Sequence, residues 1–153
     1  MKRKIKFCET MPSVQVCFIN KGTLSGVGAS EWDEADNCKP SVLTGQTIAY
    51  YKAERDLCKQ ERKILKQEIS HIEKLGVFIF PKKLACKETG FVKDRFDKYL
   101  SQKKQKLRAL DDKINYWDKA LEKYIEDKKK VRAKIESKFA RVDDGRKLES
   151  KEA

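Results

Sequence analysis

The sequence predicts an α-rich α+β protein: a small N-terminal antiparallel β-sheet packed on a long antiparallel coiled-coil helical hairpin. Three observations carry this. Apolar residues from Phe96 to Val142 recur in alternating three- and four-residue steps, the spacing of a left-handed coiled-coil seam. A second apolar stripe at helical spacing runs from Ile48 to Leu75. Residues 1–45 instead alternate polar and apolar side chains or cluster β-branched ones, as strands do.

Taken in order, Lys4-Ile-Lys-Phe-Cys reads as a half-buried strand, and Ser13-Val-Gln-Val-Cys-Phe-Ile as a second. Asn20-Lys-Gly makes a turn. The glycines Gly22, Gly26 and Gly28 read as permitting tight turns, and Glu31-Trp-Asp-Glu as loop with Trp32 as its buried anchor. Residues 1–45 thus form a small β-rich subdomain, too small to be stable alone. Residues 46–146 form the helical hairpin, with helices at about 47–75 and 92–142. Thr44 or Thr47 is the expected N-cap of the first helix, and Gly76 is its terminator. Val77-Phe-Ile-Phe before Pro81 reads as a short extended piece that adds to the sheet. Asp143-Asp-Gly should stop the second helix, leaving 147–153 as a frayed tail.

The net charge is +12, from 36 Lys/Arg against 24 Asp/Glu. Residues 93–147 hold nineteen of those cations against eleven acids, so a basic excess sits on the long helix. This favours a polyanionic partner. Two clusters are candidate phosphate contacts: Lys103, Lys104, Lys106 and Arg108, then Lys128, Lys129, Lys130, Arg132 and Lys134. Neither interleaves exposed aromatics, so base stacking is not implied. Trp117, Tyr99, Tyr124 and Phe139 fall on or beside the seam and read as core.

The first helix is the shorter, so it leaves part of the seam uncovered. Tyr124, Val131, Ile135, Phe139 and Val142 are the expected partner-binding residues, since leaving such a row in water costs ~25 cal/mol per Å². A homo-oligomer or a partner helix along residues 121–142 follows. Lys128 and Lys138, at seam positions, would set its register.

Nothing points to catalysis. Ser101-Gln-Lys-Lys104 fits an SxxK pattern without its companion motifs, and the glycines form no phosphate loop. Adjacent carboxylates such as Asp111-Asp112 diverge by ~100° on a helix and cannot make a two-carboxylate site. His71 has no ligand-spaced partner, and the five cysteines form no CxxC pair. We expect no enzyme, no cofactor and no metal. The basic start, Met1-Lys-Arg-Lys, is not followed by an apolar run long enough for a leader, and nothing spans a membrane. A reducing, cytoplasmic compartment with free thiols and no membrane partner is the expectation.

Residues 1–76 resemble the arm-type DNA-binding module at the N-terminus of some tyrosine recombinases. The matching positions are the strand Val14 to Ile19, Gly26, Trp32-Asp33 and the helix from Ile48 to Gly76. The strand region is shorter than in that module, and no catalytic Arg/His/Tyr set follows. The resemblance implies DNA contact and no recombinase activity. Together these readings predict a non-enzymatic, nucleic-acid-associated accessory protein (DNA or RNA) inside a larger nucleoprotein assembly. The alternatives are a coiled-coil structural or assembly protein of a phage particle or cellular scaffold, docking on an acidic protein surface, and a protein inhibitor of a nucleic-acid-handling machine.

Overall fold

The computed structural model describes residues 3–11, 13–32, 41–80 and 87–149, with the side chains of 9–11, 87–89 and 138–149 excepted. The element order is β1 (Arg3–Met11), β2 (Val14–Lys21), β3 (Leu24–Glu31), α1 (Val42–Ile79) and α2 (Lys87–Glu149). The three strands form one antiparallel meander in the order β1-β2-β3. The expected α-rich α+β architecture, a small sheet on two long helices, is therefore present. The chain divides into two compact units, residues 1–118 and 119–153.

Two strands stand where the sequence placed them, and a third stands where it suggested turns. Gly22, at φ 66°, takes the first position of the two-residue loop between Lys21 and Leu24, where a positive φ is needed. Gly26 and Gly28 are instead strand residues, paired with Ile19 and Cys17. Their role is contact with α1. A Cβ on Gly26 would strike the Ala53 carbonyl and the Leu57 side chain, and one on Gly28 would strike the Ala49 carbonyl and the Ala53 amide. Ala49, Ala53 and Leu57 recur every four residues, so they line one face of α1 against the strand. With Cys17 and Ile19 they make the buried core, and Leu24 and Tyr50 flank it.

The outer edge of β3 is closed by α1. Lys52 donates to the Ala29 carbonyl (2.8 Å), Asp56 accepts from the Val27 amide (3.0 Å) and Gln60 donates to the Ser25 carbonyl (2.9 Å). These three side chains repeat the four-residue step, so one helix flank satisfies a row of edge groups that would otherwise be free to pair with another strand.

Beside the core lies a buried charge. Glu54 is 2% exposed, and its Oε1 accepts from Arg3 Nη1 and from the Tyr50 hydroxyl, both at 3.0 Å. These bonds tie β1 to α1 and satisfy a carboxylate that would be costly to bury alone.

The helices differ in detail from their expected bounds. Ser41, not Thr44 or Thr47, caps α1: it is extended, and its hydroxyl accepts from the Thr44 amide. Gly76 does not end the helix. It lies within it, and the Phe96 ring of α2 packs where its Cβ would be. Val77-Phe-Ile continues α1 and is not a strand. Likewise Asp143-Asp-Gly does not stop α2, which runs to Glu149. Within the first unit the hairpin is antiparallel. Arg55 pairs with Asp118 (2.8 Å), Arg62 with Asp111, Lys103 with Glu68 (2.8 Å) and Lys104 with Glu73 (2.7 Å). Trp117 seats among Tyr50, Tyr51 and Tyr116, with ring centroids 5.1–5.9 Å apart. Trp32 is half-buried; its amide donates to the Ser13 carbonyl (2.9 Å).

Two predictions follow from the core. Replacing Gly28 with Val puts atoms against helix backbone that cannot swing away, so its urea midpoint should fall by the equivalent of about 3 kcal/mol. Replacing Gly90, where an added Cβ meets nothing within 4 Å, with Ala should raise it by about 0.5–1 kcal/mol. An undiminished midpoint for the Gly28 variant would contradict the packing. The second concerns pH. Burial pushes up the thiols of Cys17 and Cys58 and, aided by its bond to Glu54, the Tyr50 hydroxyl. Each holds its proton more tightly folded than unfolded. The contribution of the two thiols is therefore whole below their ordinary value of 9.0, and that of Tyr50 below 10.0, and each is lost as the pH rises from there through the raised folded value. The urea midpoint should drop as the pH rises from about 9. The drop should be shallower in a Cys17→Ala/Cys58→Ala double variant; equal slopes would refute the assignment.

Candidate functional site

The seam of α2 changes character along its length. Phe96, Leu100, Lys103, Leu107, Leu110, Ile114 and Trp117 are half-buried, Leu121 is buried, and Tyr124 is half-buried. Among the described residues the next seam positions, Lys128, Val131 and Ile135, are exposed, Val131 at 54% and Ile135 at 49%, and the side chain of Lys138 is not among them. The side chains of Phe139 and Val142 lie outside the described residues. Tyr99, expected in the core, is largely exposed and sits under the Lys103 ammonium, 5.5 Å from its ring centroid.

The first basic cluster is divided by the hairpin register. Lys103 and Lys104 point to α1 and pair with Glu68 and Glu73. The Glu68 carboxylate holds the Lys103 ammonium above the ordinary lysine range. Neither cation is spare in the way its sequence neighbours suggest. Lys106 and Arg108 are exposed and make no ion pair among the described residues. Lys106 rims an open groove of about 380 Å³ floored by Leu24, Ile64, Leu65 and Leu110. Glu61 and Glu68 share that rim, so the groove is not a purely basic cleft.

The second cluster lies wholly in the 119–153 unit. The Lys128 ammonium stands 5.4 Å from the Tyr124 ring centroid, and Arg132 donates to Glu136 at 3.0 Å, one turn further on. Lys129, Lys130 and Lys134 are exposed, without an ion pair among the described residues. A larger pattern includes two residues that the cluster reading missed. At ~100° per residue, Lys119, Lys123, Lys130 and Lys134 fall within ~60° of arc, spread over ~22 Å of helix. All four are exposed, and none pairs with an acid among the described residues. Glu126 and Asp127 sit on or near the same arc, so the stripe is interrupted midway. Reading contiguous runs hid this spacing; testing lysines at helical period would have found it.

Other candidates carry no chemistry. His71 is exposed, and Asp111 is spent on Arg62. Among the described residues no three His, Cys, Asp or Glu side chains gather to hold a metal, and no helix is long and apolar enough to cross a membrane. Cys8, Cys17 and Cys58 are free thiols; Cys38 and Cys86 lie outside the described residues.

A separate apolar surface marks the facing ends of the two helices, at the end of α1 and the start of α2. Val77, Phe78 and Ile79 are exposed there, Phe78 at 85%, and Phe91 and Val92 are exposed on α2. The Arg95 guanidinium covers the Phe91 ring at 4.6 Å. The chain matches no protein-family model, and neither the curated proteins nor the solved structures contain a significant match to it.

Proposed function

We propose that this chain is a non-enzymatic, nucleic-acid-associated accessory protein that holds phosphate backbone along α2 within a larger nucleoprotein assembly. The observation that carries this reading is the set of exposed lysines at 119, 123, 130 and 134, on one helical face and without acidic partners among the described residues. Lys129, in the same unit, adds to it, and Lys106 and Arg108 are separate exposed cations of the first unit. Spare ammonium groups on a helix face release condensed counterions from the phosphates without reading bases, so binding is sequence-independent and salt-sensitive. Lys103 and Lys104 contribute less in this reading, since release from Glu68 and Glu73 would have to precede a phosphate contact.

A second reading, a coiled-coil assembly protein, is favoured by the exposure of Val131, Ile135 and the Val77–Ile79 turn. Such a partner would cover the apolar seam and leave the lysines solvated.

A salt series separates the two. The full chain titrated onto duplex DNA and onto duplex RNA should bind with a steep slope of log affinity against log salt. Changing Lys119, Lys123, Lys130 and Lys134 together to Gln should reduce that slope by about 3–4. The same charge change at Lys63, Lys66, Lys93 and Lys98 should reduce it less, and Lys103→Gln with Lys104→Gln should barely alter it. Absence of binding at low salt, or equal loss in both four-lysine variants, would reject the α2 stripe. Loss of self-association in Ile135→Glu, with no nucleic-acid binding in the parent, would favour the assembly reading.

A further inference from the structure

The open groove beside Lys106 carries chemistry that the phosphate reading does not use. It lies within residues 1–118, between the start of β3, α1 and α2. At about 380 Å³ it falls at the small end of ligand clefts, which run to ~300–1,000 Å³. Its floor is apolar and open to water. Ile64 is 42% exposed, and Leu24, Leu65 and Leu110 are half-buried. Leu24 also packs on the buried core, so the floor is anchored to the fold.

The rim decides what can sit there. Both of its acids are already engaged: Glu61 accepts from Lys21, and Glu68 accepts from Lys103 at 2.8 Å. Its two lysines, Lys106 and Lys113, are exposed and pair with no acid among the described residues. They are seven residues apart on α2, so they stand on one flank of the helix, ~10 Å from each other along its axis. The unbalanced charge round this apolar floor is therefore positive.

We infer that this groove binds a medium-chain acyl carboxylate. The acyl chain covers Leu24, Ile64, Leu65 and Leu110, and the carboxylate takes the ammonium of Lys106 or Lys113 as its counterion. Covering the floor returns ~25 cal/mol for each Å² of apolar surface removed from water, and the charge-assisted bond sets which end of the ligand meets the rim. The floor spans the two turns between the lysines, so a chain of about eight to ten carbons fills it. Charge separates this occupant from others of the same shape. A neutral chain leaves both ammonium groups without a partner, and a cationic one meets like charge. The floor side chains offer no hydrogen bond to a polar body. The groove is separate from Lys119, Lys123, Lys130 and Lys134, which lie in the other unit, and it does not rest on the phosphate reading.

Decanoate titrated into the full chain at low salt, followed through backbone amide chemical shifts, tests this. The expected result is saturable binding with a Kd below about 1 mM, and shifts centred on Leu24, Ile64 to Glu68 and Lys106 to Lys113. Decanol should bind at least about tenfold more weakly, and decyltrimethylammonium not at all. Changing Lys106 and Lys113 together to Gln, both at exposed positions, should weaken decanoate at least about tenfold and leave decanol unchanged. Ile64→Glu sets a carboxylate on the floor at an exposed position and should abolish decanoate binding. Changing Lys119, Lys123, Lys130 and Lys134 together to Gln should leave it within about twofold of the parent, so this inference and the phosphate reading fail separately. No saturable binding, equal affinity for decanoate and decanol, shifts centred on Val77–Ile79 and Phe91, or a Lys106/Lys113 double variant that binds decanoate as the parent does would each overturn the inference.

Discussion

The close seat of β3 on α1 is the constraint on which the first unit depends. Two glycines on the strand and two alanines on the helix remove the side chains that would otherwise hold the helix backbone away from the strand. The helix backbone then comes near enough for Lys52, Asp56 and Gln60 to reach the β3 main chain. The same approach places Glu54 over β1, within reach of Arg3. A three-stranded sheet of this size would be marginal in water without such cover. Here it gains a dry core of Cys17, Ile19, Ala49, Ala53 and Leu57 and a closed edge from one contact.

From that contact the rest of α1 extends as a template for α2. Its acids and aromatics meet α2 in antiparallel order, from Tyr51 against Trp117 to Gly76 against Phe96. The pairing divides the lysines of α2 by partner. Those that reach α1 carboxylates are structural partners, as with Lys103 and Lys104. Lys119, Lys123, Lys130 and Lys134 are exposed and pair with no acid among the described residues. The chain carries +12, and part of that excess lies on exposed residues of α2, which is the ground of the phosphate-backbone proposal.

Much of this was legible in the residues. The alternation in β1, the β-branched run in β2 and the three–four repeat of α2 each follow one dominant period, and each element formed. β3 was missed because Gly26 and Gly28 weaken strand propensity. Their reason lies in a helix some twenty to thirty residues away, and only the joint pattern of Gly-x-Gly with Ala-x-x-x-Ala would have suggested it. Gly76 misled in the opposite sense: local rules make glycine a helix end, but the Phe96 ring needs the space inside the helix. The extension through Val77–Ile79 left an exposed apolar turn that a strand reading had assigned to the sheet. In the candidate site, cluster membership was visible as composition, whereas the division between paired and spare cations required the hairpin register. That register is a tertiary fact, invisible in runs of like residues.

Hydrogen–deuterium exchange on the full chain, alone and with a short duplex, tests the joined claim most directly: a β3–α1 core that supports a helix with unspent charge. The slowest amides should lie in β2, β3 and from Ala49 to Cys58, and the duplex should leave them unchanged. Added protection should fall on the α2 segments around Lys106 to Arg108 and from Lys119 to Lys134. Fast exchange at the β3–α1 contact, or duplex protection centred on the sheet with none along α2, would contradict it.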